Sequence, residues 1–210
     1  MDKTIIFIDG SNFYHNSKKV GVIPKLIDFE KLCTYICKRL NLKWNKTICY
    51  NAIPDISESE DKYYNHMKFL SELKKISKFE VKTRKLQKLS TKEIQDERRN
   101  IIKNGSFCTK CKSEAIKNCL SCIGDYQKKE KGIDVMIAVD MINKAIKKEC
   151  NTIVLMSGDA DFIPSLSLVK ENKCKVIVCA PKPGFAHELR TTQQIMYLNK
   201  QDLEENCYKD

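Results

Sequence analysis

The chain has 210 residues, of which 42% are hydrophobic, enough to bury one large core, while 7 Gly and 5 Pro exclude long flexible linkers. Its 38 Lys+Arg against 27 Asp+Glu leave +11, a balance that points toward a polyanion such as nucleic acid or an anionic membrane surface. No apolar run approaches the ~18 residues of a membrane span. The N-terminal apolar run is too short for a signal peptide and ends in Asp9. A cytoplasmic location with no membrane partner is therefore expected, and the 11 cysteines, an odd number, are expected as thiols or metal ligands.

Thr4–Ile8 is a short β-rich run followed by the turn-like Asp9-Gly10-Ser11-Asn12. Asp28 can cap a helix whose apolar residues Phe29, Leu32, Cys33, Ile36 and Leu40 recur at three- and four-residue steps. Thr47–Ile53 reads as a second strand stopped by Pro54, Ser57–Ile76 as an amphipathic helix, and Phe79–Leu86 as a third strand. From Gln87 to Lys131 the chain turns polar, basic and cysteine-punctuated. Residues 82–131 hold 14 Lys+Arg and 6 Asp+Glu, which is +8 of the +11. Residues 87–131 are therefore expected to form an insertion within one domain spanning 1–210. Gly132 opens a strongly apolar helix through Lys148. Thr152–Met156 is a strand running into Ser157-Gly158-Asp159-Ala160-Asp161, and a helix follows to about Glu171. Lys175–Cys179 is another strand, His187–Gln194 a helix, Met196–Leu198 a short strand, and the tail a short helix.

Strands alternating with helices imply βαβ crossovers and a mainly parallel sheet flanked by helices, an α/β fold. Such sheets bind ligands beyond the carboxyl ends of their strands. Asp9 follows the first strand, and Asp159 and Asp161 follow the Thr152–Met156 strand, so both groups fall at one edge. Asp134 lies at the start of the apolar helix. Gly10, Gly132 and Gly158 stand beside these acids and permit close backbone approach. Crowded carboxylates repel unless a cation compensates, and Mg²⁺ or Mn²⁺ suits an all-oxygen site. One or two such ions can activate water for phosphodiester cleavage. A single Asp in this position is more often a cap; three acids at two strand ends favour the site. Asp140 interrupts an apolar helix, and such a carboxylate either serves the metal or pairs with a buried base.

Three stretches together resemble one family. Ile6-Phe7-Ile8-Asp9-Gly10-Ser11-Asn12-Phe13 looks like the opening of NYN domains, members of the PIN-like ribonuclease superfamily that include LabA-like proteins. Lys131-Gly132-Ile133-Asp134-Val135 followed by Asp140 is similar to the family's central helix, and Ser157-Gly158-Asp159-Ala160-Asp161-Phe162 to its most diagnostic motif. The resemblance implies a PIN-like, Rossmann-type fold and metal-dependent RNA cleavage. It implies Asp9, Asp134, Asp159 and Asp161 as metal-holding catalytic acids, with Asp140 counted among the possible ligands. It also implies that Asn12 orients a ligand or water, and that Ser157 caps the following turn or touches phosphate. One departure stands out: where relatives often carry a late acid after a leucine, this chain has Leu189 and then Gln193-Gln194.

Cys108-Thr109-Lys110-Cys111 and Cys119-Leu120-Ser121-Cys122 form CxxC-x7-CxxC, a spacing that can supply four thiolates to one structural Zn²⁺. The alternatives are free thiols on a loop or an iron–sulfur cluster. Lys110, Lys112, Lys128 and Lys129 are candidate phosphate contacts, and Phe107 and Tyr126 candidate stacking residues. The expected function is a metal-dependent endoribonuclease with RNA as partner, possible as a homo-oligomer. The alternative is a non-catalytic RNA-binding or regulatory module on the same fold.

Overall fold

The computed structural model describes residues 3–57, 59–85, 87–88, 91–119, 128–129 and 132–209. The chain divides into two compact units, Met1–Arg84 with Gly132–Asp210, and Lys85–Lys131.

In chain order the elements are β1 (Thr4–Asp9), α1 (Gly10–Lys19), α2 (Phe29–Arg39), β2 (Trp44–Ile53), α3 (Glu60–Lys75) and β3 (Phe79–Lys85). Next come β4 (Gln87–Lys88), α4 (Thr91–Asn104), α5 (Thr109–Cys119) and β5 (Lys128–Lys129). Then follow α6 (Ile133–Ile146), β6 (Thr152–Met156), α7 (Ile163–Glu171), β7 (Lys175–Pro181), α8 (His187–Thr192), β8 (Gln194–Leu198) and α9 (Lys200–Cys207).

The first unit is built on a six-stranded parallel sheet in the order β3-β2-β1-β6-β7-β8. Helices cover both faces, which confirms the α/β fold expected from the alternation of strands and helices. All six residues of β1 are buried because it lies at the sheet centre. Ile5 and Phe7 point into a core shared with α6 and α7, through Ile137, Met141, Leu166 and Val169. Ile6 and Ile8 point the opposite way, into a core with Phe13, Leu32, Ile36, Leu203 and Cys207. A parallel strand with both faces covered needs such a continuous apolar run. Truncating Phe7 to Ala at this centre costs about 3–5 kcal/mol.

Local signals start the helices where the sequence places them. Asp28 caps α2 by accepting from the backbone N–H groups of Glu30 and Lys31 at 2.8 and 2.9 Å. Asn199 and Asp202 form a reciprocal capping box on α9. The turn expected at residues 9–12 is instead the start of α1, capped by Asp9. That helix buries Phe13, Asn16 and Ser17, so two of its three inward residues are polar and no apolar period marks it.

In the second unit, β4 and β5 pair antiparallel, Gln87 opposite Lys129 and Lys88 opposite Lys128. Between them α4 buries Ile94 and Ile102, and the Lys112 ammonium on α5 donates to the Lys103 carbonyl at 3.1 Å. The segment thus carries two helices that its polar composition does not announce.

Candidate active site

The strand order steps outward from β1 through β2 to β3, then returns to β6 on the other side of β1. The direction of winding reverses between β1 and β6, and the carboxyl ends of the strands at such a reversal are where open α/β sheets bind their ligands. Ile8 is the register partner of Met156, so Asp9 and Ser157 leave neighbouring strands at the same level.

Asp9 is 4% exposed, and both of its oxygens are engaged. Oδ1 accepts the backbone N–H of Asn12 at 3.0 Å, and Oδ2 accepts the Ser157 hydroxyl at 3.1 Å. Asn12 Oδ1 accepts the Gly158 N–H at 3.1 Å and the Asn16 amide at 2.7 Å. Asn12 therefore ties α1 to the loop after β6, rather than presenting this oxygen to a ligand. Ser157 is fully buried, and its Oγ also accepts the Asp159 N–H at 3.3 Å. Of its two expected roles, holding the turn is the one found.

Gly158 permits a second close approach. A Cβ there would collide with the carbonyl oxygen of Gly184, in the 3₁₀ turn Lys182–Gly184, and the Gly158 carbonyl accepts the Ala186 N–H at 2.9 Å. The loop carrying Asp159 thus lies backbone against backbone on the turn after β7. Asp159 caps its own 3₁₀ turn, accepting the Asp161 N–H at 3.0 Å.

The acids act on one another. Burial pushes the Asp9 carboxyl up to about 6; its bond from the Asn12 N–H opposes this, the nearby Asp134 raises it further, and Ser157 and Asp159 add smaller opposite effects. Asp134, in the first turn of α6, is raised by burial, then by Asp159 and Asp161. Electrostatics therefore link Asp9, Asp134, Asp159 and Asp161. Among the described residues no group of three or more His, Cys, Asp or Glu side chains is arranged to hold a metal ion.

Asp140 stands apart. Its Oδ2 accepts the Tyr50 hydroxyl at 2.6 Å and the Lys82 ammonium at 2.6 Å. Of the two roles open to it, pairing with a base is the one found. Burial is the main cause that lifts the Tyr50 phenol far above its ordinary range, with the bond to Asp140 next. Tyr50 is also the register partner of Asp9 on β2. Tyr50, Lys82, Asn16 and Gly184 are site neighbours that sequence reasoning missed. The apolar setting of Asp140 called for a base, and the charged residues alternating along β3 included one.

Other sequence candidates lie in the second unit. Lys110 is exposed and Lys112 half-buried on α5, while the side chains of Lys128 and Lys129 fall outside the described residues. Cys108 and Cys111 are exposed thiols, with the Cys111 N–H toward Cys108 Sγ at 3.4 Å. The Cys119 side chain, Cys122 and Tyr126 also lie outside the described residues.

A family model for the NYN domain matches residues 3–199. The chain belongs to the NYN domain family. An uncharacterized protein of Methanocaldococcus jannaschii is 38% identical over 58 residues, which cover 28% of this chain and 24% of that one. The chain thus spans about a quarter of that relative's length. The crystal structure of a protein of unknown function from Vibrio parahaemolyticus is similar over 95% of this NYN domain chain and 94% of its own, with TM-score 0.55 and 16% identity. That likeness supports the fold alone. NYN domains belong to the PIN-like nuclease superfamily, so a nuclease-like fold now stands beneath these acids.

Proposed function

We propose that this NYN domain, of the LabA-like kind, is a metal-dependent endoribonuclease. The observation that carries the reading is the gathering of Asp9, Asp134, Asp159 and Asp161 at the carboxyl ends of β1 and β6, where burial and the neighbouring acids raise Asp9 and Asp134. Their donors are all oxygen, which suits a hard divalent cation, and a cation offsets the burial and the repulsion that raise Asp9 and Asp134. Asp9, Asp134, Asp159 and Asp161 would hold Mg²⁺ or Mn²⁺. When bound, the ion supplies an activated water and charge stabilisation for phosphodiester cleavage. The protein's own part is positional. Ser157 fixes Asp9, Asn12 fixes the Gly158 backbone, and the Asp159 cap holds the loop in place.

The test is cleavage of labelled RNAs by purified protein with Mg²⁺, Mn²⁺ or EDTA, beside Asp159→Asn. Metal-dependent cutting that the variant lacks supports the nuclease. Cutting that persists in the variant, free of contaminants, overturns it.

The second unit carries a separate proposal: Cys108, Cys111, Cys119 and Cys122 bind one structural Zn²⁺, and Lys110, Lys112, Lys128 and Lys129 engage RNA phosphates. About one zinc per chain by elemental analysis, lost in Cys108→Ser, is the expected result. A metal-free second unit that stays folded would sink the idea.

One observation favours a second reading, a non-catalytic RNA-binding or regulatory module. The late acid is absent, with Gln193 and Gln194 where relatives often carry it. This reading predicts salt-sensitive RNA binding without a cleavage product.

A further inference from the structure

We infer that the outer face of α1, continued by the Lys182–Gly184 turn, seats a single strand of RNA beside the acids. The inference rests on the nuclease reading and names its substrate form. α1 leaves Asp9 directly and turns Phe13, Asn16 and Ser17 inward. Tyr14, His15, Lys18 and Lys19 are left exposed on the other side. With 1.5 Å of rise per residue, Tyr14 stands only about 6 Å along the axis from the first helical residue.

The exposed group is organised. Tyr14 is 43% exposed, and the Lys18 ammonium lies over its ring, 5.4 Å from the centroid. The His15 ring meets Tyr14 edge-on, at 84° and 5.4 Å between centroids. An aromatic surface with a cation beside it offers a base something to stack on and the next phosphate a charge to meet. α1 contains no acidic residue to oppose a polyanion.

The helix is also fixed against the loop that carries Asp159. The Lys19 ammonium donates to Asn16 Oδ1 at 3.3 Å. Asn16 packs against Gly184, where an added Cβ would strike its side chain, and Gly184 packs against Gly158, one residue before Asp159. Lys182 is exposed on the same turn as Gly184. Close contacts through Asn16, Gly184 and Gly158 thus hold α1, the Lys182–Gly184 turn and the Asp159 loop together, while Tyr14, Lys18, Lys19 and Lys182 stay exposed on the helix and the turn. A duplex keeps its base faces within its own stack, so only a single strand can offer one to Tyr14.

The test is fluorescence anisotropy of an end-labelled oligouridylate and of a blunt RNA duplex with the full chain in EDTA. Tyr14→Ala is expected to weaken single-strand binding about tenfold, and Tyr14→Phe to keep it, because stacking needs only the ring. Lys18→Gln should lower the salt dependence by about one phosphate contact. Tyr14→Ala binding the strand as the parent does, with an unchanged melting temperature, overturns the seat. A Tyr14→Phe loss as large as that of Tyr14→Ala overturns it too. If Asp159-dependent cutting persists while Tyr14→Ala binds normally, the seat falls and the nuclease stands. Tyr14-dependent binding without cutting in Mg²⁺ or Mn²⁺ supports the seat and overturns the nuclease.

Discussion

The Ser157 hydroxyl donates to Asp9 Oδ2 at 3.1 Å across 148 positions of sequence, and Ser157 Oγ in turn accepts the Asp159 N–H at 3.3 Å. One buried hydroxyl therefore holds two of the four acids at the carboxyl ends of β1 and β6. Ser157→Ala removes both bonds and leaves Asp9 less well satisfied. It should cost about 1–3 kcal/mol at neutral pH, read by urea unfolding. An unchanged midpoint would show that the bond carries no net stability.

Acidity should act on the metal-free protein in an unusual direction. The Asp9 carboxyl is raised from 3.8 in the unfolded chain to about 6 in the folded one, so the folded state holds this proton more tightly. Its contribution is fully present below the unfolded value and is lost as pH rises through about 6. The size is about 3 kcal/mol. In EDTA, the stability of the parent relative to Asp9→Asn should fall between these two pH values. A flat difference curve would contradict the assignment.

Divalent cation should reverse that loss. Mg²⁺ or Mn²⁺ is expected to raise the melting temperature of the parent at neutral pH, and Asp9→Asn and Asp159→Asn to abolish the rise. Asp140→Asn should keep it, because Asp140 is committed to Tyr50 and Lys82. A rise lost in Asp140→Asn would return that residue to the metal.

Asp140→Ala leaves the Tyr50 hydroxyl and the Lys82 ammonium without their shared acceptor. Tyr50 is fully buried, so the expected cost is about 1–3 kcal/mol. The double variant Asp140→Ala with Tyr50→Phe should recover part of it, measured by chemical denaturation.

Gly158→Ala tests the backbone contact with Gly184. The new Cβ meets a carbonyl oxygen rather than a movable side chain tip, so the loop or the turn must shift. A loss of about 1–3 kcal/mol by thermal unfolding is expected. A neutral result would mean that the two segments separate freely.

The parts of this fold that were legible share one property: apolar residues set their period. β1, α2, α6 and β6 could be placed because their buried residues are Ile, Leu, Phe, Met, Val and Cys. α1 could not, because Asn16 and Ser17 do the work of core residues there. α4 and α5 lie in a charged segment where helical faces have little apolar marking. The acids at the strand ends were legible because strand order decides where ligands sit. Asp140 was only half legible, since its base comes from β3, 58 positions away. The structural tie of Asn12 was not legible for the same reason: its partner Gly158 lies 146 positions away.

β1 is the central strand, yet β6, which pairs along one of its edges, is translated more than a hundred residues later. On the ribosome, β1 can gain its β2 partner early and must wait for the other. Until then an apolar edge of β1 lacks its partner, the kind of exposed edge that invites misjoining. The same delay reaches the site. Asp9 and Asp159 cannot meet until most of the polypeptide has emerged, so the cluster of acids is assembled only late in synthesis.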